Sequence, residues 1–559
     1  MAGGIEGRKT GANKRAFWSL KGSRVHSSWN FTRILSQFVR KLPKIAYAIL
    51  PAGGLSCVTA PLSIPYHVKT LEWIEKPTYR CFMKTWWLAL TVLCLVVPSS
   101  GFAQQARYQL GKQVIGFETA FQQSMSQLES RKAVLPSLER AVQAFFSMSF
   151  SGAEKSIDDA WLKLLPEEQQ AEIAPLMPLR LALAKHWHDS DAEEMEIALS
   201  AAYESKTARR FPFDIEVEFK DHQGETLVSQ TKTVSALPYK DVVSIKDLSE
   251  GDWECCVTVI SNQVRWKLPS QIVSCTNALE ERLTKAKENF ESNKSKDPNT
   301  QQRSQQLMLN LLRDLKNGRA LETDFPAHQL LVTVEQWDNA AGALPRLEGS
   351  LLEGQYWLEL DGAKSSTVVR VSIPANVVSG TSDKVPVLFA FHGAGGSENM
   401  FFDAYGAGEV AALSKKAGYI LVCPRQPLMG GVMSVEEMLE QLSQIAPIDT
   451  ERVAVLGHSM GAAQTISQVE RSKAGSIRGA VILGGGRGIS KPDLWKIIPV
   501  FAGAGERDFG RRGVQLFAAS CRKEGGVVRE EIYEAIEHLG IVQVALPDVF
   551  QWLEPLLQK

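Results

Sequence analysis

The sequence predicts a multidomain chain. Its C-terminal part, residues 340–559, is expected to be an α/β domain with a mostly parallel sheet covered by helices, preceded by an α-helical region and a small antiparallel β-sandwich. Three observations point to this. From about residue 340, near-continuous apolar runs alternate with amphipathic helical stretches, the pattern of strands buried on both faces. Between 104 and 205 apolar residues recur at helical spacing, and between 206 and 275 apolar and polar residues alternate. The length of 559 residues also exceeds what a single core ordinarily organises.

Composition narrows the classes. Lysine plus arginine number 62, as do aspartate plus glutamate, so the formal net charge is zero and nothing asks for a nucleic-acid partner. Apolar residues make up 44%, enough for a sizeable core.

Met83-Lys84-Thr85 is followed by the apolar run Trp86 to Val97 and by small residues at Gly101 and Ala103. This is the pattern of a secretory signal over 83–103, cleaved after Ala103, and it predicts an exported protein, periplasmic or secreted. The run falls short of the about 20 residues that span a bilayer; a retained anchor at 86–98 is the alternative. A signal with its own methionine makes residues 1–82 a non-native or disordered extension. They are rich in basic residues (Arg8, Lys9, Lys14, Arg15) and lack sustained periodicity. On an anchored protein they would be a basic cytoplasmic tail.

In the region 104–205, Val114, Phe117, Phe121, Met125 and Leu128 share a helical face. Further helical stretches run from Pro136 to Phe146 and through Ile157, Trp161 and Leu164, and Pro166-Glu167-Glu168 opens a fourth. A small helical bundle follows from this. His186 and His188 read as exposed helix-end histidines, because a metal site needs further ligands.

Phe213, Ile215, Val217 and Phe219 alternate with charged residues, as in a half-buried strand, and Asp221 to Gly224 makes a turn. With Trp253, Cys255, Val257 and Val259 they define a sandwich over 206–275, similar in strand pattern alone to immunoglobulin-like modules. It reads as a spacer, with carbohydrate or protein binding as the alternative. Residues 276–339 form a helical hairpin and linker, capped by Asn277 with Glu280 and striped by Leu279, Leu283, Ala286 and Phe290. Of the cysteines after residue 103, Cys275 is expected to bridge to Cys255 or Cys256, which share its small region; Cys423 and Cys521 lie far off.

Strands are expected at 367–373, 385–391, 419–423, 452–456, 477–483, 498–503 and 527–533, with helices such as 434–445 and 511–523 between them. Sites on such sheets lie beyond the carboxyl ends of the strands. There the sequence places Gly457-His458-Ser459-Met460-Gly461, between an apolar strand and a helical pattern. Strand, sharp turn and helix is the context in which G-x-S-x-G presents an exposed nucleophilic serine. The small-residue loop His392-Gly393-Ala394-Gly395-Gly396 follows another strand. The N–H of Ala394, or next Gly395, together with that of Met460 would make an oxyanion hole, with His392 supporting the loop. His538 is the one histidine after Ser459 and stands where a base belongs. Asp508, after the Gly503 to Arg507 turn, is the acid that would orient it. Glu506 is the alternative acid, and a surface salt bridge through Arg507 is the plain reading of that turn.

On these motifs residues 340–559 resemble the α/β-hydrolase superfamily, in particular compact esterases of the feruloyl-esterase, polyhydroxybutyrate-depolymerase-like and carboxylesterase type. The resemblance implies Ser459 as nucleophile, Asp508 as acid and His538 as base, acting on carboxylic esters, including polymer- or sugar-attached ones, without cofactor or metal. Cell-envelope attachment would fall to the helical and sandwich regions. Two departures stand out: Leu539-Gly540 follow the histidine, and the short segment between strands 477–483 and 498–503 leaves no room for an inserted cap, so an open cleft is expected. A serine peptidase of the same fold and an inactive, hydrolase-like binding or scaffold protein are the alternatives.

Overall fold

The computed structural model describes residues 101–558 apart from 320, 338–342, 364, 375–376, 378–383 and 428–431. The expected extension (1–82), the anchor alternative (86–98) and all but the end of the signal segment lie outside the described residues. Among the described residues no helix is long and apolar enough to cross a membrane.

Pro136, expected to open a helix, lies inside one, and Met125 and Leu128 fall beyond the helix that carries Val114, Phe117 and Phe121, so the expected spacing is followed only in part by the first four helices. They are α1 (Gly101–Gln122), α2 (Leu128–Phe146), α3 (Phe150–Leu162) and the short α4 (Glu167–Ile173). Phe117 and Phe121 of α1 stack and are almost fully buried. Gly116 lets α1 approach α3 closely, since a Cβ there would lie 2.3 Å from the Trp161 ring.

Beyond Ile173 the helical expectation for 104–205 is overturned. Leu179–Leu183 (β1), Trp187–Asp189 (β2) and Glu194–Ala201 (β3) are strands. The reason lies in the residues of β3: Met195, Ile197 and Leu199 are buried and alternate with Glu194, Glu196 and Ala198, a period of two. His186 and His188 accordingly sit at and in β2, hydrogen-bonded to backbone carbonyls of Ile272 and Lys185, and not at a helix end.

The sandwich strands continue with β4 (Phe213–Lys220), β5 (Thr226–Val234), β6 (Tyr239–Ser244), β7 (Gly251–Ser261), β8 (Val264–Lys267) and β9 (Gln271–Thr276). One sheet has the order β1-β3-β6. The other runs β2-β9-β7-β4-β5, with β8 on β7. The expected disulfide is absent: Cys255, Cys256 and Cys275 are all free and buried. In the β7–β9 ladder Cys275 faces Gly251 while Cys255 faces Gln271. That offset of four residues, about 13 Å along a strand, is far beyond disulfide reach.

The hairpin forms as expected, as α5 (Leu279–Asn293) and α6 (Thr300–Lys316), followed by α7 (Ala327–Trp337). The cap differs. Asn277 bonds Glu250, while the Asp189 carboxylate accepts the N–H of Leu279.

The C-terminal strands are β10 (Gln355–Leu360), β11 (Thr367–Ser372), β12 (Val385–Phe391), β13 (Ile420–Pro424), β14 (Ile448–His458), β15 (Gly479–Leu483), β16 (Val500–Gly505) and β17 (Val528–Tyr533). Between and after them run α8 (Glu409–Ala417), α9 (Val435–Leu442), α10 (Met460–Arg471), α11 (Pro492–Ile497), α12 (Arg511–Lys523) and α13 (Ile541–Leu557). The sheet order is β10-β11-β13-β12-β14-β15-β16-β17, and β11 alone opposes its neighbours. Every residue of β13 and β15 is buried, so helices on both faces are required.

One apolar cluster joins α1–α3, both smaller sheets, α13 and one face of the large sheet. A second joins α5–α7, α9, α10 and α12 to the opposite face. The described residues fall in one compact unit, in place of the separate modules expected.

Candidate active site

Strand β14 delivers Ser459 beyond the carboxyl end of the sheet, and α10 begins at the next residue. Ser459 holds φ 58° and ψ −116°, a strained combination for a side-chain-bearing residue. The glycines two before and two after it make this turn possible. A Cβ on Gly461 would lie 1.8 Å from the Phe391 carbonyl oxygen, and one on Gly457 would lie 2.1 Å from that of Gly461. The Ser459 N–H donates to the Leu483 carbonyl at 2.9 Å, tying the turn to β15.

The structure brings Ser459, His538 and Asp508 into one hydrogen-bonded line. His538 Nε2 lies 2.9 Å from Ser459 Oγ, and its Nδ1 lies 2.7 Å from Asp508 Oδ1. Asp508 Oδ1 also accepts the Gly510 N–H at 2.6 Å. Burial pushes the Asp508 carboxyl up, but the hydrogen bond and charge of His538, with the Gly510 N–H, outweigh it and hold the group below its ordinary value. With an ionised carboxylate on Nδ1, the imidazole proton sits there, and Nε2 is left to accept from the serine hydroxyl. The two alternatives at the Asp508 turn go elsewhere. Glu506 accepts the Ala535 N–H, and Arg507 pairs with Glu139 of α2 at 3.0 Å.

Beside this line lies a second histidine whose role the sequence reading did not assign. His458 is 3% exposed. Its Nε2–H donates to the His538 carbonyl at 2.9 Å, and its Nδ1 accepts the Tyr405 hydroxyl at 2.9 Å. Burial, and next the neighbouring His538, lower His458 to about 3, so it stays neutral. Burial also raises Tyr405, which keeps its proton and accepts the Gly393 N–H at 3.2 Å. This chain couples the backbone of His538 to the start of the glycine-rich loop. The signal was present as the His within G-x-S-x-G; its partner Tyr405 lies too far off in sequence to be paired with it.

In that loop His392 Nδ1–H donates to the Gly393 carbonyl at 2.8 Å, and its Nε2 accepts the Gln426 N–H at 3.0 Å. Burial lowers its pKa, consistent with a neutral supporting group. Tyr405 takes the Gly393 N–H, which leaves the N–H groups of Ala394 and Gly395 without a partner among the described residues. Met460 is the first residue of α10, where N–H groups have no partner inside the helix.

A cavity of about 190 Å³ opens above Ser459, His538 and Gly393 to Gly396. Residues of α1, α2 and α3 form part of its lining, so the cleft expected from the short 484–497 segment is partly roofed by helices that precede the domain. The roof was missed because it precedes the domain in the chain and is not inserted into it. Arg107 of α1 donates to the Gly395 carbonyl, Arg131 of α2 to the Glu534 carbonyl, and the Ala407 N–H donates to Glu118 of α1. Among the described residues no cluster of His, Cys, Asp or Glu is arranged to hold a metal.

No family model matches the chain, and no curated protein does. Among solved structures, an S-formylglutathione hydrolase from Agrobacterium tumefaciens is similar at 13% identity, over 37% of this chain and 96% of its own, with a TM-score of 0.30. A feruloyl esterase module from Clostridium thermocellum gives 14%, 39%, 96% and 0.29 in the same order. The esterase rPPE, as its W187H mutant, gives 17%, 47%, 100% and 0.30.

Proposed function

We propose that this protein is a serine hydrolase that cleaves carboxylic esters through an acyl-serine intermediate. The observation that carries it is the hydrogen-bonded line Ser459–His538–Asp508 at the mouth of a cavity. In this reading Ser459 Oγ attacks the ester carbonyl as its proton passes to His538 Nε2, and Asp508 stabilises the imidazolium. The carbonyl oxygen, now an anion, is met by the N–H groups of Ala394 and Met460, with Gly395 beside them. Donors of this kind are each worth about 3 to 4 kcal/mol of barrier. His538 returns the proton to the departing alcohol. Water then repeats the sequence and frees the acid. Every group needed is a side chain or N–H of this chain.

The test is turnover of p-nitrophenyl acetate by the purified protein beside Ser459→Ala. Loss of at least about 10³-fold in kcat is expected, with fluorophosphonate labelling of Ser459 in the wild type alone. A wild type inert toward esters and unlabelled would overturn the reading and favour a binding or scaffold role. Cleavage of amides in preference to esters would make it a peptidase. Export through residues 83–103 belongs to the same proposal, and N-terminal sequencing of the native protein checks it: a peptide from 1–82 would refute it.

A further inference from the structure

Resting on the serine-esterase reading, the geometry points to the N-terminal helices as an acyl-binding wall, and to substrates that are esters of neutral, apolar acids of about six to eight carbons.

The lining that the helices supply includes Leu110 and Val114 of α1, Ala141 and Val142 of α2, and Ala153 and Ile157 of α3. These six are all apolar and come from the three roof helices. Four charged side chains also line the cavity; two are in ion pairs and two bond neutral groups. Arg107 donates to the Gly395 carbonyl, Lys112 pairs with Asp324, Glu322 accepts from Asn399, and Asp403 pairs with Arg370. Lys112 and Asp403 are neutralised by ion pairs, and the six helix residues offer no charge to a carboxylate or ammonium beside them, where burying such a group unpaired is costly. The acyl group that fits is therefore neutral.

The two halves of an ester are told apart by the proton path. The alcohol leaves with the proton of His538 Nε2 and must stand beside that imidazole. The outer face of the imidazole carries Phe509, 3.8 Å away between ring centroids and 64% exposed. That side opens to solvent. The acyl half is left with the partly roofed cavity on the helix side. Its volume, about 190 Å³, sets the size: an apolar cavity of about 150 Å³ holds one benzene, so this one takes a six- to eight-carbon chain or a ring with a short linker.

The experiment is a series of p-nitrophenyl esters, acetyl to dodecanoyl, with the full chain. Each buried methylene adds about fourfold to kcat/KM. A rise from acetyl to hexanoyl or octanoyl, followed by a plateau or fall, is expected. Val142→Trp, which fills the cavity from its half-buried wall, should lower the octanoyl-to-acetyl ratio of kcat/KM by at least about 20-fold. Leu516→Ala, on the exposed face of α12, should leave that ratio at the wild-type value. Ala141→Val, a smaller intrusion, serves if the tryptophan variant does not fold. A flat profile from acetyl to octanoyl in the wild type, or an unchanged ratio in a folded wall variant, overturns the acyl wall while the esterase reading stands. No turnover of any ester, with no fluorophosphonate labelling, sinks both.

Discussion

A single methyl group at Gly461 would separate three pieces of backbone. The Cα of Gly461 sits so close to the Phe391 and His392 carbonyls that the tips of β12 and β14 and the start of α10 meet there. Gly461→Ala should destabilise the protein by about 3 kcal/mol or more in urea unfolding and abolish fluorophosphonate labelling. Asp508→Asn keeps the shape but removes the charge that fixes the His538 tautomer. Its kcat should fall about 10⁴-fold, with a modest drop in melting temperature at neutral pH, because the depressed carboxyl stabilises the fold there only when ionised. At this scale the sequence was most informative. The spacing of Gly457, Ser459 and Gly461, and the order of Ser459, Asp508 and His538, identified the residues that meet in space. What could not be read was Tyr405, because its hydrogen bond to His458 spans 53 residues and depends on where β12 and β14 end.

The helix α1 holds its place over the sheet partly through a buried carboxyl. Glu118 is 2% exposed, and its Oε2 accepts the Ala407 N–H at 2.8 Å. Burial raises it from 4.5 to about 8, against the lowering effect of the Ala407 and Gly406 N–H groups. The folded protein therefore binds a proton that the unfolded chain releases above about 4.5. Stability from this group is full at low pH and falls as pH rises toward 8. Melting temperature should decline between pH 5 and pH 8, and Glu118→Gln should flatten most of that decline. A remainder is expected from Glu537, which burial raises to about 7 in the same way. An unchanged slope in the glutamine variant would refute the assignment. Among elements, the β strands and helices of the C-terminal half, apart from β10 (Gln355–Leu360), were legible because continuous apolar runs and amphipathic stretches differ in period. β1 to β3 were not. Their short apolar runs, as in Leu179–Leu183, fit either a buried strand or a buried helix turn, and only pairing decides.

Across the whole molecule, the five described cysteines are free and buried. Burial pushes the thiols of Cys255 and Cys275 up, the latter to about 12. Iodoacetamide mapping should modify Cys255, Cys256, Cys275, Cys423 and Cys521 only after denaturation, and a reductant should leave the melting temperature unchanged. A disulfide-linked peptide from 255–275 would contradict this. Global arrangement was the least legible level, since composition and periodicity cannot tell a tethered helical bundle from one that covers another part of the chain. The contact between Gln543 Nε2 and the Glu118 carbonyl joins residues 425 positions apart. Ribosomal synthesis at about 5–20 residues per second separates the appearance of those two partners by about twenty to eighty seconds. For that interval the apolar faces of α1 to α3 lack their final partner. Contacts so distant along the chain also make closure slow. The same helices that line the cavity above Ser459 in the finished protein wait, during its manufacture, with only the sandwich strands to cover part of their apolar surface.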